Sequence, residues 1–427
     1  MRGLDLPALD RRLRTDSSAP LAVAFSGGGD SLALLLAAKA WAEHSRRLLV
    51  LTVDHGLNSA SAGWTVRCGE TAARLGVDFR ALRWDGPKPA TGLPAAARAA
   101  RHALLADAAR VAGAKVILMG HTADDIAEGA AMRAEGSTVS DPAEWAPSPA
   151  WPEGRHVFLL RPMLGLRREA LRAWLRDRGE SWIDDPANED VRFARARARN
   201  PGPGYSPASL ERGTSEAGGG ESAPGVVPRR CGAVRRLSST ASGGPLADLR
   251  WGGLALSRAA PAAHIAAACL CAGGTGTPPR GDKLDRLVDR IRADSPFTAT
   301  LGGARIEADG DHILFIRNAG ETARGGLAPL DLPPGRPVVW DGRYELTADT
   351  PGLTVRALAG LTRQLPRAEQ AALRAVPASA RPSLPVIDGP DGPTCPILAT
   401  PASVRCRALI LTRFEAATGV VDREPPV

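Results

Sequence analysis

Ser26-Gly27-Gly28-Gly29-Asp30-Ser31 stands between the apolar run Leu21–Phe25 and the apolar-rich run Leu32–Trp41. A chain that passes from a buried strand through three glycines into a helix has few folds open to it. The glycines let the backbone approach an anion closely, the N–H groups of the turn and of the first helical turn converge, and two hydroxyls flank them. The segment reads as a phosphate cradle. No Gly-Lys-Ser/Thr follows, so it is not the mononucleotide P-loop, and its glycine spacing is not that of the dinucleotide fingerprint. A Gly-rich turn capped by Asp or Ser is the competing reading, and the flanking strand and helix weigh against it.

Two more short apolar runs end in polar residues. Leu48–Val53 leads into Asp54-His55-Gly56-Leu57-Asn58, and Val116–Met119 leads into Gly120-His121. Trp64–Leu75 and Ala95–Ala112 lie between them, Ala-rich, Arg-studded and apolar at helical spacing. Strand, helix, strand, helix, strand predicts a doubly wound parallel α/β sheet, and such sheets bind ligands at the carboxyl ends of their strands. The polar clusters after all three strands therefore converge on one edge.

The third cluster, His121-Thr122-Ala123-Asp124-Asp125-Ile126-Ala127-Glu128, predicts a helix from about Thr122. Acidic residues in a first turn are accounted for by the helix dipole alone. His121 and Asp125 are also four positions apart and can share one pocket, and Asp124, Asp125 or Glu128 can ligate Mg²⁺. Asp54 and His55 can equally do no more than close a strand.

A chain of 427 residues is long enough for two or three domains. Its net charge of +8 is carried almost wholly by arginine, the only lysines being Lys39, Lys88, Lys115 and Lys283. Arginine suits bidentate phosphate contact, and an Arg-rich codon bias explains the same excess. Cys68, Cys231, Cys269, Cys271, Cys395 and Cys406 form no CxxC pair and have no His partner at metal spacing, which argues against a zinc site or a disulfide framework. No apolar run reaches about 18 residues and the N-terminus lacks a signal-peptide core, so a cytoplasmic protein without membrane contact is expected.

Ser26–Ser31 resembles the SGGxDS loop of the PP-loop ATP pyrophosphatases. With Val53–Leu57 and His121–Glu128 in order, the chain is similar to the tRNA(Ile)-lysidine synthetases. Arg161-Pro162-Met163-Leu164, Arg167-Arg168-Glu169, Trp182–Asp190 and Phe193-Ala194-Arg195 extend the resemblance, Asp185–Asn188 being the most discriminating part. Pro278-Pro279-Arg280, Thr300–Gly303 and Val339–Arg343 carry it further, so that it spans most of the chain.

The resemblance implies ATP and Mg²⁺ as cofactors, and as substrates free L-lysine and an isoleucine tRNA with a CAU anticodon, whose wobble cytidine becomes lysidine through an adenylated intermediate. It assigns Asp30, His121 and Asp125 to catalysis, with Asp30 and Asp125 also at the metal. ATP falls to Ser26, Gly27, Gly28, Gly29, Asp30, Ser31, Asp54, His55 and Gly120; the lysine ammonium groups need acidic partners, which Asp124, Glu128 or Asp54 can provide. Another PP-loop enzyme, a thiolase or an amidating ligase, is the first competitor, although the chain shows neither the thiolase CxxC nor an amidotransferase domain. The second is a nucleotide- or RNA-binding relative that has lost turnover. A homodimer stays open.

Leu166–Gly179 predicts an amphipathic helix, with Leu166, Ala170, Leu171, Trp174 and Leu175 on one face and arginines elsewhere. Arg161, Arg167 and Arg168, with the second basic run Arg192, Arg195, Arg197 and Arg199, are candidates for the tRNA backbone, a solvated face being the alternative. About half of residues 200–244 are Gly, Pro or Ser without periodicity, where relatives continue into helices; a linker, or a locally shifted reading frame, is expected there. Ala134-Glu135-Gly136 also replaces a basic, Gly-rich segment. The expected organisation is a catalytic domain over 1–199, a linker over 200–245, a helical tRNA-binding segment over 246–295 and a mixed α+β tRNA-recognition domain over 296–427.

Overall fold

Leu21, Val23 and Val50 face one side of a sheet, while Ala22, Leu49, Leu51 and Ile117 face the other, and all are buried. Continuous apolar runs of this kind belong to strands covered on both faces. In the computed structural model, which describes residues 4–43, 45–137, 141–184, 251–293, 295–310, 312–321, 326–399 and 403–426, these strands are the centre of a six-stranded sheet. Its strands are β1 (Leu21–Ala24), β2 (Leu48–Asp54), β3 (Asp78–Arg83), β4 (Val116–Leu118), β5 (Trp145–Pro147) and β6 (Phe158–Leu160). The order is β3-β2-β1-β4-β6-β5, parallel except for β5 against β6. The chain winds outward from β1 to β3 and then returns to lay β4 on the other side of β1. That reversal is a topological switch point, where such sheets open a crevice for ligands.

A short helix, α1 (Pro7–Arg12), precedes β1, and longer helices cover the two faces. On one face α2 (Gly29–Ala42), α3 (Ser61–Leu75) and α6 (Arg168–Arg176) bury Leu32, Leu35, Cys68, Ala72, Leu171 and Leu175 together; on the other, α4 (Leu93–Val111) lays Leu105, Ala108 and Ala109 on Ile117 and Leu51. The helix α5 (Ala123–Ala134) follows β4. Strand β3 lies at the sheet edge and is largely exposed, with only Phe79 and Leu82 partly buried, against the cores on the two faces.

The chain divides into two units, residues 1–229 with 422–427, and residues 230–421. The segment from Asp422 onward therefore belongs with the first unit, where the Glu424 carboxylate meets the Arg46 guanidinium with side-chain exposures of 0% and 1%. In the second unit the helices Ala262–Ala272 and Asp282–Arg292 share one core with the antiparallel strands Leu254–Ser257, Phe297–Leu301, Ala304–Asp309 and His312–Arg317. The helices expected as a separate segment thus form a layer on the strands that follow them. Two three-stranded antiparallel sheets complete the unit. Between the strands Val338–Trp340 and Tyr344–Ala348, Asp341 lies buried between Arg317 at 3.0 Å and Arg343 at 2.5 Å. The expectations placed on Asp185–Asn188, Arg192, Arg195, Arg197, Arg199 and the 200–245 linker lie outside the described residues. Among the described residues no helix is long and apolar enough to cross a membrane.

Candidate active site at the switch point

The loop after β1 is closed by its own side chains. Ser31 Oγ donates to the Gly28 carbonyl at 2.9 Å, accepts from the Ser26 amide at 3.2 Å and lies 3.1 Å from Ser26 Oγ. Gly27 adopts φ +82°, and α2 starts from Gly28 with no side-chain cap on its first amides. Those N–H groups are the ones a helix leaves for an external acceptor.

A wall from after α6 stands against this loop. The Ile183 amide donates to the Gly27 carbonyl at 2.9 Å, a Cβ added at Gly27 would lie 2.5 Å from Ile183 Cδ1, and one at Gly29 would lie 3.5 Å from the Trp182 ring. Phe25, Gly27, Cys68, Arg74, Trp182 and Ile183 are among the residues enclosing an adjoining cavity of about 540 Å³, a size within the range of small-molecule sites.

The loop after β4 meets the loop after β1 directly. A Cβ at Gly120 would stand 3.2 Å from both the Cα and the amide nitrogen of Ser31, so glycine is what allows the approach. Next to it His121 is buried, and Arg161 Nε donates to its Nδ1 at 3.2 Å. Burial pushes the His121 imidazole down to about 3, with Asp125 opposing and Arg161, Arg101 and Arg98 reinforcing the shift. An acceptor at Nδ1 of a neutral ring leaves its proton on Nε2.

Thr122 caps α5 and Asp125 closes the capping box. Asp125 Oδ2 accepts from the Thr122 amide at 2.9 Å and from the Thr122 hydroxyl at 3.1 Å. Asp125 thus serves the helix end, as the dipole argument alone requires, and still lies 3.8 Å from Arg168 Nη2.

Arg168 joins the two loops. Its Nε donates to Asp30 Oδ2 at 3.0 Å and its Nη1 to Glu128 Oε1 at 2.9 Å, while its backbone amide donates to Asp124 Oδ2 at 2.7 Å. Burial raises the Asp30 carboxyl above its ordinary range against the pull of Arg168. Asp30 Oδ1 is buried with no hydrogen-bond partner among the described residues.

At the end of β2, Asp54 Oδ1 accepts from the Gly56 amide at 2.8 Å. Burial works against its ionised form, but hydrogen bonds from Ser61 and Gly56 hold Asp54 below the usual range. The His55 imidazole is lowered by burial and by Arg101, and lies edge-on to Trp84 at 6.2 Å.

The structure therefore brings Ser26–Ser31, Gly120, His121 and Asp125 together, with Asp54 and His55 on the neighbouring strand end. Of the three arginines expected at the tRNA backbone, Arg161 is buried and Arg168 mostly so, both among these side chains, while Arg167 is well exposed, 3.5 Å from Asp124. Arg98 and Arg101, which act on His121 from α4, went unread because arginines at helical spacing have the same pattern as a solvated face.

The family model for the PP-loop domain matches residues 7–201. A tRNA(Ile)-lysidine synthase from Caulobacter vibrioides is 50% identical over 425 residues, 98% of this chain and 97% of that protein. Two further tRNA(Ile)-lysidine synthases match: one from Hyphomonas neptunium, 38% identical over 75% of this chain and 86% of that protein, and one from Rhizobium meliloti, 35% identical over 78% and 74%.

Proposed function

The chain belongs to the tRNA(Ile)-lysidine synthase family, and on that premise we propose that it ligates free L-lysine to the wobble cytidine of a CAU-anticodon isoleucine tRNA at the expense of ATP. The observation that carries the reading is the seating of Gly120, with the buried His121 next to it, against the Ser26–Ser31 loop at the switch point, in a chain similar to these enzymes along nearly its whole length.

In the first step cytidine O2 forms a bond to the α-phosphorus of ATP and the bond to the β-phosphate oxygen breaks, releasing pyrophosphate. The uncapped amides at the start of α2 hold the departing anion, an electrostatic contribution made by donors already in place. The nucleophilic carbonyl oxygen has no proton to lose, so this step needs no base. A neutral His121 with its proton on Nε2 suits the complementary task of donating a hydrogen bond to a phosphoryl oxygen as its charge grows, and Arg161 fixes that tautomer. In the second step the lysine ε-nitrogen, having lost a proton, bonds to C2 and the C2–O2 bond breaks, so that AMP leaves with the oxygen.

Mg²⁺ would neutralise triphosphate charge and orient it. Asp30, with a buried carboxylate oxygen that lacks a partner among the described residues, fits one protein ligand of an ion whose other ligands are phosphates and water. The lysine ammonium groups need acidic partners, and Asp124, on the more exposed side of this cluster, can provide one. A cytoplasmic location agrees with a tRNA substrate.

The test is AMP release from ATP with a CAU isoleucine transcript, with and without lysine, and with a methionine tRNA as control. AMP formed only with lysine and the isoleucine tRNA supports the reading. Tight ATP binding without lysine-dependent AMP overturns it in favour of another PP-loop substrate.

A further inference from the structure

Three carboxylates from the N-terminal turns of two helices, Asp30 of α2 and Asp125 and Glu128 of α5, meet around one guanidinium. Arg168 forks between Asp30 at 3.0 Å and Glu128 at 2.9 Å, and stands 3.8 Å from Asp125. Its side chain is 19% exposed. The start of α6 that delivers it is pinned to the start of α5, where the Ala123 amide donates to the Leu166 carbonyl at 2.9 Å and the Arg168 amide to Asp124 at 2.7 Å. The guanidinium is thus presented to the carboxylates by fixed backbone. An arginine cannot shed its charge, and its fork satisfies two acceptors at once.

We propose that Arg168 is the resident counter-ion of the adenylation site, a positioning residue that occupies the cation position until nucleotide arrives with a divalent metal. Asp30 then exchanges the guanidinium for the metal, and the freed N–H groups turn to the phosphates while Glu128 keeps its bond. The inference rests on the proposed ATP chemistry only for the identity of the incoming anion. Its consequence is that metal binding is conditional. A bare divalent ion must displace Arg168 against like-charge repulsion, whereas one carried by a triphosphate brings negative charge for Arg168 to pair with.

The experiment is a Mn²⁺ titration of the full chain without nucleotide, followed by electron paramagnetic resonance, on the wild type, R168A, R168K and R168A/D30N. Mn²⁺ should bind R168A about ten- to a hundredfold more tightly than the wild type, with R168K in between, since lysine holds one carboxylate at a time. Adding D30N should remove the gain. In parallel, R168A should bind Mn²⁺–ATP about tenfold more weakly. Equal Mn²⁺ affinity in the wild type and R168A, or a gain that survives D30N, overturns the proposal. If circular dichroism shows R168A unfolded, R168K decides, and wild-type Mn²⁺ affinity in R168K overturns it. None of these readouts uses tRNA or lysine, so a wild-type chain that shows the Mn²⁺ pattern but makes no lysidine refutes the proposed substrate and leaves the role of Arg168 standing.

Discussion

Replacing Gly27 by alanine changes two things that can be measured apart. The backbone there is left-handed at φ +82°, which costs a residue with a Cβ about 1–2 kcal/mol. The new methyl would also lie 2.5 Å from Ile183 Cδ1 and 3.1 Å from Cys68 Sγ, and overpacking of this kind costs about 1–3 kcal/mol. The total of roughly 2–5 kcal/mol is an upper bound, because the loop can withdraw from the Trp182–Ile183 wall and convert part of it into misdirected amides. G27A should therefore lower the melting temperature by about 2–4 °C for each kcal/mol retained, and weaken ATP binding by about tenfold or more, read by calorimetric titration. Ile183→Val removes the clashing Cδ1 atom itself. Alone it should cost about 0.5–1.5 kcal/mol, and combined with G27A it should return about 1 kcal/mol as a favourable coupling energy. Strictly additive losses in the double variant, or wild-type ATP affinity in G27A, would refute the argument that the wall sets the loop.

Two further outcomes are expected. The imidazoles of His121 and His102 are both pushed down to about 3 by burial from an ordinary value near 6.5, so the unfolded chain binds protons that the folded one refuses as pH falls. The stability they allow is complete above pH 6.5 and is lost toward pH 3, at up to about 1.4 kcal/mol per pH unit for each ring; denaturant midpoints between pH 7.5 and 5 should fall less steeply for H102Q and H121Q, and parallel slopes in all three proteins would sink the assignment. Glu424 accepts from Arg46 Nη1 at 2.7 Å, the Arg14 amide at 3.0 Å and Ser17 Oγ at 3.2 Å. Breaking so buried a pair by E424Q should destabilise the first unit by about 3–5 kcal/mol, whereas R46M/E424L should recover most of it; a melting temperature unchanged in E424Q would mean that the 422–426 segment contributes nothing to that unit.

The strand–loop–helix at Ser26–Ser31 was legible because everything that makes it is local. An apolar run, three glycines and a helical run specify β1, the turn and α2 within about twenty residues, and the same holds for β2, β4, the α5 start at Thr122 and the helices α3, α4 and α6. Convergence on one sheet edge followed from the rule for parallel sheets, and the β1–β4 switch point bears it out. Strand β3 was harder to read, since this exposed edge strand sends only Phe79 and Leu82 to the cores, one on each face.

Which charge meets which was beyond the reach of sequence. Arg167 and Arg168 are adjacent and chemically identical, yet one is solvated and the other sits 3.0 Å from a carboxylate 138 residues away. Arg161 ends a strand and holds a histidine, Arg46 finds its acid 378 residues further on, and the family-like Val339–Arg343 block contains an aspartate shared by two buried arginines. Helical and strand periods report on which side of an element a residue lies over a few positions; a counter-ion is chosen by distances of a few ångströms between elements that only the packed fold brings together. The sequence by itself thus determined the phosphate-binding turn and the kind of sheet that carries it. The tertiary structure decided which of the many arginines belong to the chemistry, because burial makes an unpaired charge costly and leaves each buried carboxylate only the cation the fold delivers to it.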